Sequence, residues 1–331
     1  MRYPFAALFF RGWFAVLILL FAAGQFLHAQ DAPQPQRAPG LQKPAPPAKS
    51  SPTPAPSNAP SSSAPAQGSA AKPEPAAPAD AMRHFHQATS FENDGNVENA
   101  ISEYQAAIKE YPDFFEAHYN LGRLYLDRQG YSEAILQLKD AVRIRPDDAN
   151  AHNNLGLALK HNRDLNGALT EYQEAVRLNP KMASAQNNLA NVLYLRRDYN
   201  GAIQHYKAAL ELEPRSADTH MNLGSVLDDA GRPDEAIVEY KEALKLQPKN
   251  ASAHYNLSIV YQKKKDMPTA IAELREAAKL EPDWPTPHIM LTDLLKDSDP
   301  KAALDECVVA DGLTHDAKLH DECQELQKKA R

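Results

Sequence analysis

The sequence predicts an all-α fold, a solenoid of stacked helix pairs. Three observations carry that expectation. First, Pro112, Pro146, Pro180, Pro214, Pro248 and Pro282 recur at intervals of 34 residues without a slip. Second, two alanine columns keep the same period: Ala100, Ala134, Ala168, Ala202, Ala236 and Ala270, then Ala107, Ala141, Ala175, Ala209, Ala243 and Ala277. Tyr104, Leu138, Tyr172, Tyr206, Tyr240 and Leu274 lie between them. Third, each period holds two apolar stripes at helical spacing, separated by a polar break. A fixed period of this length is the mark of a repeat array, in which one unit cannot bury its apolar face alone and a stack can.

Ahead of the array are two segments of different character. Residues 1–30 place Arg2 and Arg11 before the apolar run Gly12–Gly24, and Leu27-His28-Ala29 resembles a small-residue cleavage site. That is the plan of a secretory signal peptide. The run is short for a membrane-spanning helix, yet counting from Phe5 lengthens it. Two readings stay open: cleavage near Ala29, or an uncleaved N-terminal membrane anchor. Residues 31–80 contain 14 Pro, no aromatic residue, and Leu41 as the one large aliphatic. Such a stretch buries too little apolar surface to offset the entropy of ordering, so it is expected to be a disordered, extended linker.

The repeats are expected over 81–314, in six full units starting at 81, 115, 149, 183, 217 and 251 and a seventh starting at 285 that runs one residue short. In the third unit Ala151, Leu155, Ala158 and Leu159 mark the first helix. His161-Asn162-Arg163-Asp164 breaks the pattern. Leu165, Ala168, Leu169, Tyr172, Ala175, Val176 and Leu178 then mark the second helix. Asn179-Pro180 closes the unit, because a residue before proline is biased away from the α region. At other breaks Gly95, Gly130 and Gly231 suit a left-handed helix end. Small residues at Gly122, Gly156, Ala190, Gly224 and Ser258 are expected to let the two helices of a unit approach closely. Residues 315–331 read as a C-terminal capping helix with Ala317, Leu319, Cys323 and Leu326 on its apolar side.

Leu121-Gly122-x2-Tyr125, Ala134-x3-Leu138 and Pro146, with equivalents in every unit, resemble the tetratricopeptide repeat family. The resemblance covers the array and departs from pattern at both ends, with Gln87-Ala88 in the first unit and Leu291-Thr292 and no closing proline in the seventh. It implies a right-handed solenoid whose first helices line a concave groove, and a role in binding proteins.

From 81 onward there are 30 Lys+Arg against 40 Asp+Glu, interspersed, which does not provide the clustered basic face of a nucleic-acid binder. There is no Gly-rich phosphate loop, no H-E-x-x-H and no G-x-S-x-G, and the repeating columns do not converge unlike groups, so no enzyme and no cofactor are expected. His84, His118, His152, His220, His254 and His288 form a column, interrupted by Gln186. Neighbouring helices lie about 8–10 Å apart, too far for adjacent members to share a metal ion. The column therefore reads as packing between units, with a pH-sensitive stack as the second reading. Cys307 and Cys323, read with an export signal, point to a disulfide. The nearby His315 and His320 offer a small metal site as the alternative, and no metal is expected.

A second column holds asparagine: Asn120, Asn154, Asn188, Asn222 and Asn256. An amide both donates and accepts, so such a row can pair with the backbone of an extended peptide. The family resemblance places it in the groove, and it is similar to the asparagine ladder in the repeat domain of O-linked N-acetylglucosamine transferase, whose catalytic domain has no counterpart here. The same asparagines can equally be an inherited consensus with no ligand. The neighbours expected to share the groove are Tyr119, Asn153, Asn187 and Tyr255 before the ladder, and Arg123 and Asn191 after it. Chaperone-binding family members grip a C-terminal carboxylate with Lys and Arg here; with Arg123 as the only basic residue, that clamp is not expected. The reading is an exported scaffold or adaptor in a periplasm or cell envelope, with a protein or peptide partner. Self-association, or a structural subunit or spacer with an empty groove, is the alternative.

Overall fold

The computed structural model describes residues 76–329. The signal or anchor of residues 1–30 and nearly all of the linker lie outside the described residues. Fifteen helices and no strand are found among those described. They are α1 (Ala79–Asn93), α2 (Val97–Glu110), α3 (Phe115–Asp127), α4 (Tyr131–Ile144), α5 (Ala149–His161), α6 (Leu165–Leu178), α7 (Ala183–Leu195) and α8 (Tyr199–Leu212). They continue with α9 (Ala217–Asp229), α10 (Pro233–Leu246), α11 (Ala251–Lys263), α12 (Met267–Leu280), α13 (Pro285–Leu295), α14 (Pro300–Thr314) and α15 (Ala317–Lys329). Second helices begin every 34 residues from Val97 to Met267, and α14 then begins 33 residues on, where the seventh unit is one residue short. The first helix starts two residues before the expected 81, directly after Pro78.

Local chemistry sets the boundaries. Asp148, Asp164, Asp198, Ser216, Asn250, Asp266 and Asp299 each cap a helix by accepting a backbone N–H three residues on. At the other end of the second helices, Tyr111, Arg145, Asn179, Glu213, Gln247 and Glu281 leave the helical region, as the following proline demands. Between the helices of a unit one residue turns left-handed: Gly95, Gln129, Arg163, Arg197, Gly231 and Lys265. Gly130 does not belong to that set. It caps α4 at φ −79, and Gln129 before it takes the left-handed conformation at φ 61. The turn is demanded by the backbone hydrogen bonds that close it, such as Asp164 N–H to the Leu159 carbonyl at 2.9 Å. It recurs whether or not a glycine is there to ease it.

Each helix packs on its neighbours in sequence, and first helices of successive central units also touch one another where second helices scarcely do. The first helices therefore form the inner layer. The alanine columns are fully buried. The small column has the predicted effect: a Cβ on Gly156 would meet the Tyr172 ring at 2.8 Å, and one on Gly224 would meet Tyr240 at 2.8 Å.

The buried tyrosines need hydrogen-bond partners. Tyr206 Oη donates to Asn191 Oδ1 at 2.5 Å, Tyr240 Oη pairs with Ser225 Oγ at 3.0 Å, and Tyr104 Oη donates to Glu92 at 2.8 Å. In the third unit the residue equivalent to Asn191 and Ser225 is Leu157. Tyr172 Oη is accordingly buried with no partner. An unsatisfied buried hydroxyl is costly. Tyr172→Phe is thus expected to raise stability by about 1 kcal/mol, and Tyr206→Phe to lower it by about as much. Chemical denaturation of both variants checks this, and shifts of the same sign would show that the two hydroxyls are not differently placed.

At the C-terminus Cys307 on α14 and Cys323 on α15 are joined by a disulfide. Leu319, Cys323 and Leu326 on α15 share a core with Ala303, Cys307 and Ala310, so this helix covers the last pair.

Candidate peptide-binding face

The five asparagines lie at the sixth position of units two to six, all on first helices and all half-exposed. Helical spacing puts the fifth, sixth, ninth, twelfth and thirteenth positions of a unit along one stripe. Contacts across units confirm that stripe. Tyr194 Oη donates to Asp229 at 2.7 Å, and Lys263 Nζ donates to Asp228 at 2.6 Å, both pairs 35 residues apart on successive first helices.

The asparagines divide into two groups. Asn154 Nδ2 donates to Tyr119 Oη at 3.1 Å, and Asn188 Nδ2 donates to Asn153 Oδ1 at 3.0 Å. Asn120 is bonded to the Tyr104 hydroxyl. These three tie their unit to the one before. Asn222 and Asn256 have no side-chain partner among the described residues.

Several neighbours predicted to share the groove are otherwise engaged. Tyr255 is buried, its ring 4.8 Å from that of Trp284, and it belongs to the core beneath the face. Asn153 is also buried. Asn187 accepts from Thr219 Oγ1 at 3.3 Å, and Asn191 accepts from the Tyr206 hydroxyl. Tyr119 is half-exposed and stacked on Phe115 at 5.8 Å, and burial pushes its hydroxyl pKa up. Arg123 is held by Glu92 and by Asp127, the latter at 3.5 Å. Burial works against its charge, and the hydrogen bond to Glu92 outweighs that, leaving its pKa raised. Arg123 is therefore neutralised within the fold. At the fifth position Asn153 and Tyr255 are buried while Tyr119, Asn187 and Met221 are half-exposed, whereas all five sixth-position asparagines are half-exposed. Periodicity gives the stripe but not the depth of each row within it.

Lys160, half-buried at the twelfth position of the third unit, has no ion-pair partner among the described residues, and burial lowers its pKa. The inner helices α5 and α7 carry no acid, whereas α9 carries Asp218, Asp228 and Asp229. The acids of α9 are used between units, Asp228 by Lys263 of α11 and Asp229 by Tyr194 of α7. No group of His, Cys, Asp and Glu able to hold a metal ion is found among the described residues. None of the described helices is long and apolar enough to cross a membrane.

One set of residues was missed. The histidine column is matched by carboxylates 19 residues later: Glu103, Glu171, Glu239 and Glu273, with Glu306 at 18 in the short unit. The signal was present in the chain, because where Gln186 replaces histidine, His205 replaces the carboxylate.

Family models describing tetratricopeptide repeats match residues 85–149, 119–183, 191–231, 227–265 and 251–283, together more than half of the chain. No curated protein matches the sequence significantly. Among solved structures, a tetratricopeptide repeat protein from Parabacteroides merdae is 15% identical, covers 75% of this chain and 98% of its own, and has a TM-score of 0.56. PilF of Pseudomonas aeruginosa is 23% identical, with 64% and 96% covered and a TM-score of 0.55. MamA from Desulfovibrio magneticus is 24% identical, with 50% and 94% covered and a TM-score of 0.49. The first two share the fold. This chain belongs to the tetratricopeptide repeat family and is, on that ground, a protein–protein interaction scaffold.

Proposed function

We propose that the protein is an exported scaffold whose first-helix face holds an extended segment of a partner protein. The observation that carries this reading is the pair of half-exposed amides, Asn222 and Asn256, that stand on the inner helices with no partner in the fold. An amide left open on a rigid helix can give one donor and one acceptor to a peptide backbone without reading its sequence. Selectivity would come from flanking groups such as Met221 and Ile259. Residues 1–30 would direct the chain out of the cytoplasm, and residues 31–80 would space the array from a membrane or from other domains.

Asn222→Ala together with Asn256→Ala tests the groove. Neither side chain holds the stack, so the helical circular-dichroism signal should persist. Binding to an immobilised peptide array is expected to fall at least about tenfold, from the loss of two hydrogen-bonding amides. Undiminished binding would remove the ladder from consideration. Sequencing the mature N-terminus decides the leader: a start at Gln30 means release, and an intact Met1 means a tether. A second reading has its own support. Asn120, Asn154 and Asn188 are used to join units, as expected for a structural subunit or spacer whose face stays empty.

A further inference from the structure

Each histidine of the column in the later units sits between two acceptors. On one side Nδ1 meets a carboxylate on the second helix of its own unit: Glu171 at 2.6 Å from His152, Glu239 at 2.7 Å from His220, Glu273 at 2.6 Å from His254 and Glu306 at 2.6 Å from His288. On the other, Nε2 meets the carbonyl of the proline that closes the preceding unit. Those distances are 3.0 Å for His152 and Pro146, 3.1 Å for His220 and Pro214, and 3.2 Å for His288 and Pro282; His254 is bonded likewise to Pro248. A carbonyl can only accept, so Nε2 must carry hydrogen. A ring nitrogen and a carboxylate oxygen at 2.6 Å must also hold a proton between them. Each set therefore contains one proton more than a neutral imidazole and an ionised carboxylate. The rings are largely screened from solvent, with histidine side-chain exposures of 8 to 16%.

We propose that these four His–Glu–Pro rungs are proton-linked couplers between successive units, so that the stack tightens on acidification and loosens as the protons leave. On deprotonation the ring keeps the Nδ1 hydrogen in its charge-assisted bond to the carboxylate, and the Nε2 lone pair then opposes the proline carbonyl. Two acceptors then face each other, and the bond to the preceding unit is lost. Two rungs of the same chain lack this dependence by composition. In the second unit His118 Nδ1 meets the Gln137 side-chain amide at 2.9 Å and Nε2 meets the Pro112 carbonyl at 3.0 Å; with that amide turned so that its NH2 group donates to Nδ1, a neutral ring satisfies both bonds. In the fourth unit Gln186 donates to the Pro180 carbonyl at 3.0 Å and accepts from His205 at 2.7 Å, again with no extra proton.

Of the other charges near the rungs, Glu174 and Glu276 add a smaller attraction for the protonated His152 and His254 rings. Glu174, Glu242 and Glu276 lie one turn beyond the pairing carboxylates, and each is bound to its own cation, Arg177, Lys245 and Lys279. From the preceding unit the group that meets the ring is the backbone carbonyl. For His152, burial opposes the charge and the bonds to Glu171 and Pro146 outweigh it, so its pKa is raised above 6.5. For His254 the bond to Glu273 dominates over burial, with the same result. A raised folded pKa gives stability that is complete below the unfolded value and is lost as pH climbs through the folded one. The His152 and His254 rungs should therefore weaken as pH climbs through their raised pKa values.

The test is the denaturant midpoint of the full chain at about pH 6 and about pH 8.5, with histidine Cε1–H titration by NMR alongside. The wild-type midpoint is expected to fall at the higher pH. Glu171→Gln, Glu239→Gln, Glu273→Gln and Glu306→Gln combined copy the second unit's chemistry and should flatten that fall. Gln137→Glu adds a rung and should steepen it. Each converted rung changes the linkage by up to about one proton. A wild-type midpoint that does not move, or a combined variant that keeps the full slope, overturns the proposal. Should the combined variant not fold, Glu239→Gln and Gln137→Glu decide it alone, and an unchanged slope in both is equally fatal.

Discussion

Gly156→Val is expected to cost about 3 kcal/mol, the high end for overpacking a filled core. The first Cβ atom would already lie 2.8 Å from the Tyr172 ring. The methyls of valine would force α5 and α6 apart, and the alanine columns that allow their approach would lose contact. Gly156→Ala should cost much less, because the fourth unit carries Ala190 above Tyr206 in the same register with both side chains buried. A paired change offers rescue: with Tyr172→Leu added, Gly156→Ser reproduces the Ser258 and Leu274 pairing of the sixth unit. A double-mutant cycle by chemical denaturation measures the coupling. If Gly156→Val and Gly156→Ala are equally mild, close helix approach does not govern the unit.

Loss of the Cys307–Cys323 bridge is the second large effect. It closes a loop of 16 residues, for which the chain-entropy model gives about 3 kcal/mol. The loss should be local rather than global. In a quasi-one-dimensional stack each unit depends on its neighbours alone. The terminal helix α15 has just three buried residues, Leu319, Cys323 and Leu326, to hold it. Cys307→Ser with Cys323→Ser, or simple reduction, is therefore expected to abolish amide-exchange protection in α15. Protection should weaken in α13 and α14, whereas α3 to α9 should keep theirs. Uniform loss of protection along the array would contradict the one-dimensional picture. Full retention at α15 would mean that apolar packing alone suffices to seal the end.

Much of this was legible in the letters. A helix pair needs an apolar stripe, a cap, a break and a stop. Each is a local feature that a 34-residue period repeats until chance agreement is impossible. The one-residue deficit of the seventh unit could likewise be read off, and it moves the start of α14 by that residue. The left-handed turn was legible only where glycine marks it. Gln129, Arg163, Arg197 and Lys265 adopt it because backbone bonds impose it, and no side chain announces that.

The face is where the sequence stopped short. A period places Asn120, Asn154, Asn188, Asn222 and Asn256 in one row, since identical positions in identical units must align. It cannot say which amides are already bonded, because that depends on the neighbouring unit's residue at another position: Tyr119 below Asn154, Asn153 below Asn188, and no such partner for Asn222 or Asn256. Tyr255 and Arg123 share that limit. One is drawn beneath the surface by Trp284, and the other is neutralised by Glu92 of the unit before. By itself, then, the sequence determined the units, their number and their register, because these follow from contacts within one unit. Only the tertiary structure decided which polar groups remain open, because hydrogen bonds across a unit boundary are settled by distances that no single repeat contains.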